Sequence, residues 1–154
     1  MITEATPADY SVAAQIHAVA QAAYTLEAEL IGCAEFPPLR ESLDELRQSS
    51  DSFLVFQQSG SIIGALSFDC SADPVAITRL VVSPAHLRQG IATALLAELE
   101  RRLSPNARLT VSTAEANTPA VFLYQRFGYT TVSVSNSAEG IPLLHLTKSN
   151  DRNA

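Results

Sequence analysis

The segment from residue 80 to residue 103, LVVSPAHLRQGIATALLAELERRL, constrains the fold most, because it joins a strand to a helix through a short polar loop. Its apolar start predicts a buried strand that ends at Ser83-Pro84. The rest predicts a helix over residues 89–103, with a buried stripe at Ile91, Leu95, Leu99 and Leu103. A chain built on such a unit folds as helices packed against a sheet.

The other elements follow in an alternating order. We predict a helix over residues 7–24, capped by Thr6, then a helix end and loop over 25–37 and a second helix over 38–49. Strands are predicted in ITEAT, in a hairpin turning near Ser59-Gly60, in VAITRLVVS, ARLTVST, TTVSVS and IPLLHLT, with a helix in NTPAVFLYQRFGY. The order is therefore βααβββαβαββ, which predicts an α/β (α+β) fold with a central mixed sheet of about seven strands flanked by about four helices.

Composition bounds the classes of function. The 154 residues carry a net charge of −6 and are 47% apolar, so we expect a single domain over residues 1–150 and a disordered tail at 151–154. The acidic balance argues against nucleic acid or an anionic membrane as a partner. No apolar run approaches the ~18 residues of a membrane helix, and the N-terminal segment shows no signal-peptide pattern. Cys33 and Cys70 are expected to be free thiols, and no metal site is predicted.

The loop of the first segment is suited to holding an anion. The first N–H groups of a helix have no partner inside it, and the helix dipole adds partial positive charge there. Those groups belong to Gln89, Gly90, Ile91 and Ala92, and Gly90 has no Cβ to keep a phosphate away. The two common nucleotide loops, G-x-x-x-x-G-K-[ST] and G-x-G-x-x-G, are both missing from the sequence. An ordinary strand-to-helix turn with a solvated Arg88 is the alternative that this loop alone leaves open.

A second motif, NTPAVFLYQRFGY, decides between these readings. Together the two segments resemble the GNAT superfamily of N-acetyltransferases, whose loop signature [QR]-x-x-G-x-[GA] follows a strand of the form L-x-V-x-P. The first segment matches at Leu80, Val82, Pro84, Gly90 and Ala92. The second matches the later signature at Asn117, Ala120, Leu123, Tyr124, Gly128 and Tyr129. The order of elements over the whole chain also agrees with that fold.

The resemblance implies acetyl-CoA as co-substrate and assigns residues to it. Its pyrophosphate would lie on the loop, and its pantetheine arm would pair with the strand that precedes the loop. The residues implied to bind it are Leu80, Val81, Val82, Arg88, Gln89, Gly90, Ile91, Ala92, Thr93, Asn117 and Tyr124. A backbone N–H of that strand would polarise the thioester carbonyl, and Tyr124 would protonate the departing thiolate. Asn117 is equally suited to capping the helix that follows it.

One position departs from the family pattern. Leu87 stands where the loop signature has Arg or Gln. Because backbone N–H groups supply most of the family's grip on pyrophosphate, we expect cofactor binding to persist with this leucine.

The acceptor side is less defined by the sequence. Where some members carry a catalytic glutamate before the motif asparagine, this chain has Ser112. We therefore predict that the general base is Glu27, ahead of Glu29 and Glu35, with His145 as the next candidate. A solvated acidic face and a histidine at the edge of the core are the structural alternatives for these residues.

The sequence thus predicts a cytoplasmic N-acetyltransferase that moves an acetyl group from acetyl-CoA to a primary amine by direct attack in a ternary complex. The acceptor is a small molecule or a peptide, and a homodimer is possible. The alternatives are a non-catalytic acyl-CoA sensor of the same fold and a protein N-terminal acetyltransferase.

Overall fold

The computed structural model describes residues 1–149, so the predicted tail at 151–154 lies outside the described residues. A seven-stranded sheet forms the centre, in the order β1-β2-β3-β4-β5-β7-β6. Its strands are β1 Ile2–Ala5, β2 Ser52–Gln58, β3 Ser61–Asp69, β4 Val75–Val82, β5 Arg108–Ala114, β6 Thr130–Asn136 and β7 Pro142–Ser149. The helices are α1 Tyr10–Ile31, α2 Leu43–Arg47, α3 Ile91–Arg102 and α4 Thr118–Arg126, with 3₁₀ turns at Pro37–Arg40 and Pro84–His86. The predicted order βααβββαβαββ and the mixed seven-stranded sheet are confirmed.

The sheet opens in its middle. All neighbouring strands are antiparallel except β4 and β5, whose parallel pairing covers only Val75–Ile77 against Leu109–Val111. On its other side β4 stays paired with β3 as far as Val82. A register shift in that pairing, which leaves Thr78 out, marks the place where β4 diverges from β5. The second half of β4 therefore borders a cleft instead of a neighbouring strand.

Helix α1 is longer than the predicted helix over residues 7–24. It begins after Asp9, whose side chain accepts a hydrogen bond from Val12 N–H at 3.3 Å, so Thr6 is not the cap. It ends at Gly32, which is left-handed at φ 73°. The prediction of a loop from residue 25 was wrong because this segment is itself amphipathic: Ala28 is buried in a small cluster that also includes Phe36 and Ile141. Glu27 consequently lies within the last turns of a helix.

The predicted second helix over residues 38–49 is also wrong in extent. The prolines start only a 3₁₀ turn, and Glu41 returns to extended backbone. A separate five-residue helix, α2, then begins with a capping box, in which Ser42 and Glu45 each accept a backbone hydrogen bond from the other. The sequence S-L-D-E carries that signal and would have placed the break.

The larger core lies between the sheet and helices α3 and α4. Its fully buried centre is leucine-rich, at Leu54, Leu66, Leu95, Leu96, Leu99, Leu109 and Leu146. On the opposite face, α1 packs through Ile16, Val19 and Ala20 onto β2 and β3. Helix α3 approaches β3 at Gly64, where an added Cβ would lie 2.8 Å from Ile91 Cγ2 and 3.3 Å from Leu95 Cδ1.

Gly64→Ala is expected to lower the free energy of unfolding by about 1–3 kcal/mol, because the new methyl group overpacks this contact. Chemical denaturation measures the change. In an Ile91→Ala background the same substitution should cost less, since the clashing methyl is gone. Equal costs in both backgrounds would contradict the assigned contact.

Candidate active site

Three connected cavities run along the cleft between β4 and α4. The cradle, about 220 Å³, is lined by residues that include His86, Arg88, Gly90, Thr93 and Arg126. The groove, about 250 Å³, shares Val82, Leu87 and Leu123 with the cradle. The inner cavity, about 440 Å³, shares Glu27, Leu80 and Tyr124 with the groove. A long molecule can therefore reach from the start of α3 to the inner cavity without leaving the protein surface.

The cradle has the features of an anion site. Gly90 is the N-cap of α3 with φ 76°, and Arg88 is also left-handed at φ 63°, so the loop curls around the first N–H groups of the helix. Nothing lies within 4 Å of where a Gly90 Cβ would be. Arg88 and Arg126 line the space, and within residues 1–149 the buried Nδ1 of His86 has no hydrogen-bond partner. Backbone donors and two guanidinium groups suit a pyrophosphate.

Most of the loop residues implied by the resemblance lie in the cradle. Arg88, Gly90, Ile91, Ala92 and Thr93 line it, whereas Gln89 is exposed and outside its lining. Any role for Gln89 is therefore left to its backbone N–H.

Gly90→Glu is expected to weaken coenzyme A binding at least about tenfold, or about 1.4 kcal/mol, because it adds bulk and negative charge to the cradle. Isothermal titration calorimetry measures this. Gly90→Ala is the matched control, since it imposes the same left-handed strain without the charge. A folded Gly90→Glu variant that binds like the wild type would contradict the placement of the pyrophosphate.

The groove follows the part of β4 that is no longer paired with β5. Leu80, Val81 and Val82 line it on one side, and Leu123 of α4 lines it on the other. Leu87, which is 46% exposed, lies where the groove meets the cradle. At this position a leucine continues the apolar lining of the groove, which explains how the loop accommodates it in place of the expected Arg or Gln.

Tyr124 lies at the junction of the groove and the inner cavity. Its side chain is 4% exposed and packs edge-to-face on Tyr129, with ring centroids 5.5 Å apart. Burial raises the pKa of the Tyr124 phenol, and the neighbouring Glu27 and Tyr24 raise it further. The phenol is therefore protonated at neutral pH and available as a hydrogen-bond and proton donor.

Glu27 meets Asn117 beside Tyr124. Asn117 Nδ2 donates to Glu27 Oε1 at 2.7 Å, and Asn117 Oδ1 accepts from Ala120 N–H at 3.3 Å. The motif asparagine thus caps α4 and holds the carboxylate with the same side chain. Burial raises the pKa of Glu27, with the Asn117 hydrogen bond acting in the opposite direction. A carboxylate with a raised pKa is a stronger base than an exposed one.

The other predicted bases lie differently. Glu29 is on the exposed face of α1, and Glu35 lines a separate depression beside Arg40. His145 is outside the inner cavity: its Nδ1 and Nε2 lie 2.7 Å from the hydroxyls of Ser112 and Ser135. Of these partners, only Ser112 lines the cavity. Glu27 is therefore the one predicted base that reaches the junction with Tyr124.

Sequence reasoning missed the far wall of the inner cavity. Tyr24 and Phe36 form an edge-to-face pair with centroids 6.1 Å apart, and Pro37 and Pro38 continue this wall. Burial raises the pKa of Tyr24 to about 12. The missed signal was the continuation of α1 beyond residue 24, which turns Tyr24 and Glu27 towards the same cleft.

An ionic network fastens that wall to the sheet. The Arg79 guanidinium on β4 pairs with Glu41 and, at 3.0 Å, with Asp51. Gln21 Nε2 on α1 donates to the Leu39 carbonyl at 3.2 Å. The segment after the prolines is thereby held between β4 and α1 by contacts within the protein.

Within residues 1–149 no group of three or more His, Cys, Asp or Glu side chains is placed to hold a metal, and both cysteines are free. Over the same residues, none of the helices has the length and apolar character needed to cross a membrane.

The chain matches a protein-family model and a curated protein. The family model described as "Acetyltransferase (GNAT) domain" matches residues 12–150. UPF0157 protein YqkA of Bacillus subtilis (strain 168) is 35% identical over 133 residues. That alignment covers 86% of this chain but 39% of the relative, so the chain spans about two fifths of the relative's length.

Solved structures share the fold at low identity. The ribosomal-protein-S18-alanine N-acetyltransferase of Escherichia coli superposes with a TM-score of 0.74 at 19% identity, covering 100% of this chain and 97% of that one. An aminoglycoside 6′-N-acetyltransferase complexed with coenzyme A gives a TM-score of 0.73 at 14% identity, covering 100% and 99%. These likenesses agree with the topology seen here.

Proposed function

The chain belongs to the GNAT acetyltransferase domain family, and from this we propose that it is an acetyl-CoA-dependent N-acetyltransferase that acts on a primary amine in the cytoplasm. The observation that carries the proposal is the junction of the groove and the inner cavity. There Tyr124, a buried phenol, lies beside Glu27, a carboxylate whose pKa is raised by burial. Two free cysteines fit a reducing compartment.

The cradle and groove would hold the cofactor, which supplies an activated acetyl thioester. Backbone N–H groups at Gly90, Ile91 and Ala92 would bind the pyrophosphate, and the unpaired edge of β4 at Leu80, Val81 and Val82 would bind the pantetheine arm. An aminoglycoside 6′-N-acetyltransferase of the same fold, solved in complex with coenzyme A, supports coenzyme A as the carrier of the acetyl group.

Glu27 and Tyr124 divide the proton transfers. Glu27 takes a proton from the substrate ammonium, which frees the nitrogen lone pair to attack the thioester carbonyl. As the C–N bond forms and the C–S bond breaks, the sulfur takes a proton from Tyr124, and the second proton that the nitrogen loses passes to Tyr124 and restores its phenol. One proton is released overall for each acetyl group moved. Backbone N–H groups on the free edge of β4 would stabilise the oxyanion.

Two other functions are alternatives to this proposal. A non-catalytic acyl-CoA sensor would need the cradle but neither Glu27 nor Tyr124, so the presence of both at one junction favours an enzyme. A protein N-terminal acetyltransferase is favoured by one observation, the likeness to an enzyme that acts on a ribosomal protein. The homodimer stays a prediction.

Thiol release from acetyl-CoA, followed continuously with a thiol-reactive dye, tests the proposal. We expect release to require an amine and to be steady over many turnovers. A sensor would bind acetyl-CoA in calorimetry and release no thiol with any amine, and that result would overturn the proposal.

A further inference from the structure

Each charged side chain that lines the inner cavity has an oppositely charged partner, with one exception. Arg79 is paired with Glu41 and Asp51, and Glu139 is paired with Arg40 at 3.4 Å. Among the charged groups lining the cavity in the described part of the chain, Glu27 alone faces no cation; its partner is the neutral amide of Asn117. A buried carboxylate of this kind is stabilised by one cationic group, and a second cation in the ligand would find no free anion beside it.

Much of the remaining lining is apolar, although the hydroxyl side chains of Thr78, Ser112, Thr113 and Ser137 also line the cavity. On one side lies the aromatic pair of Tyr24 and Phe36, with Pro37 next to it. Ile141 and Leu143, from the segment that enters β7, belong to the same apolar cluster as this pair and extend the wall. Such walls favour a ligand body that is itself apolar, and an aromatic body gains further from ring contacts.

From this arrangement we infer that the acceptor is a primary monoamine on a compact apolar body, of the arylalkylamine or alkylamine class, with its ammonium at Glu27 and its body against the wall formed by the aromatic pair, Ile141 and Leu143. This inference rests on the proposed N-acetyltransferase activity and adds the class of acceptor. The cavity of about 440 Å³ is of the size that small ligands occupy.

Competing classes of acceptor fit these walls less well. An aminoglycoside carries several ammonium and hydroxyl groups, and each one that leaves water without a partner carries a free-energy cost. A polyamine brings further charges that meet no free carboxylate in the cavity. A peptide brings amide groups that need hydrogen-bond partners, and the wall formed by the aromatic pair, Ile141 and Leu143 offers none to the part of the ligand that packs against it.

The shape of the cavity is also fixed in advance. Gln21 holds the Leu39 carbonyl at 3.2 Å, and Arg79 anchors the adjacent Glu41, so the wall does not have to order itself around a ligand. A preformed apolar site binds small rigid amines without the cost of reorganisation.

The test compares kcat/KM by thiol release for five amines: 2-phenylethylamine, hexylamine, spermidine, kanamycin and a short peptide with a free N-terminal alanine. We expect the first two to exceed the other three at least about tenfold, a discrimination that apolar pockets reach with a few carbon atoms. A preference for spermidine, kanamycin or the peptide would overturn the acceptor class and leave the N-acetyltransferase standing. If a protein that binds acetyl-CoA releases no thiol with any amine, both proposals fall.

A variant pair tests the location of the body. Leu143 lines the inner cavity, whereas its neighbour Leu144 packs on the core at the other face of the sheet. Leu143→Thr should lower kcat/KM for 2-phenylethylamine at least about fivefold more than for ethylamine, which is too short to reach the wall. Leu144→Thr should leave the ratio of the two amines unchanged. Equal losses for both amines in Leu143→Thr would contradict the assigned wall.

Discussion

Replacing Tyr124 with phenylalanine is expected to lower kcat about 10²-fold while the KM for acetyl-CoA changes little. The substitution removes one hydroxyl from a side chain that is 4% exposed, so packing is largely kept. The lost interaction belongs to the departing thiolate, which exists only near the transition state, and losses of this size are usual for a general acid. Steady-state thiol release over a range of acetyl-CoA concentrations measures both constants.

Tyr129→Phe is the matched control for this experiment. Tyr129 is also buried, but its hydroxyl donates to Glu100 at 3.1 Å, in the core between α3 and β7. Its loss is expected to affect stability and to leave kcat close to the wild-type value. If Tyr124→Phe turns over as fast as Tyr129→Phe, the thiolate leaves unassisted and the Tyr124 hydroxyl has no chemical role.

Replacing Glu27 with glutamine is expected to lower kcat/KM for the amine about 10²-fold at pH 7, with much of the loss recovered toward pH 10. An alkylammonium has a pKa of ~10.4, so at high pH the amine enters neutral and needs no base. The wild-type rate should fall as the pH is lowered through the pKa of Glu27, which burial holds above its ordinary value. A pH–rate profile of both proteins measures this.

Glu29→Gln is the control here, since Glu29 lies two residues further on the exposed face of the same helix. His145→Gln and Glu35→Gln complete the set. The hypothesis fails if Glu27→Gln follows the wild-type profile while His145→Gln does not, because the proton would then leave through Ser112 and His145, which lie 2.7 Å apart.

The raised pKa of Glu27 also has a consequence for stability. Between the ordinary pKa of a glutamate and the raised pKa of Glu27, the folded state binds more protons than the unfolded state, so stability falls as pH rises through this window. Above this window the full cost of the buried charge is present. Glu27→Gln should therefore melt at a higher temperature than the wild type at pH 7, with the difference shrinking at pH 4. A lower melting temperature at pH 7 would contradict burial as the cause of the pKa shift.

The sequence predicted the order of elements because each one carries a local signal. The stripe at Ile91, Leu95 and Leu99 marks α3, and the motif from Asn117 to Gly128 marks α4 with both of its ends. The predicted extents of α1 and α2 were wrong where tertiary packing or capping competed with the hydrophobic periodicity. Ala28 is buried by Phe36 and Ile141, and periodicity does not reveal such contacts between distant residues. Ser42 starts the helix whose predicted start was Pro38.

The candidate site likewise has one part that the sequence predicts and one part that it does not. The loop after β4 could be identified from sequence, because its backbone donors and Gly90 work independently of distant residues. The inner cavity could not, since Tyr24, Phe36 and Ile141 come together only through the tertiary fold. The sequence predicts Glu27 as the base just beyond a helix over residues 7–24; the structure instead brings it to Tyr124 along a continuing helix, where Asn117 holds it.

Mass spectrometry of a reaction with acetyl-CoA and 2-phenylethylamine tests the central claim most directly. The account predicts that the N-acetylated amine and free coenzyme A form in equal amounts, that neither forms without the protein, and that the protein itself gains no acetyl group during turnover. Thiol release that does not depend on any amine, or an acetyl group carried on Cys33 or another side chain, would contradict direct transfer to a bound amine.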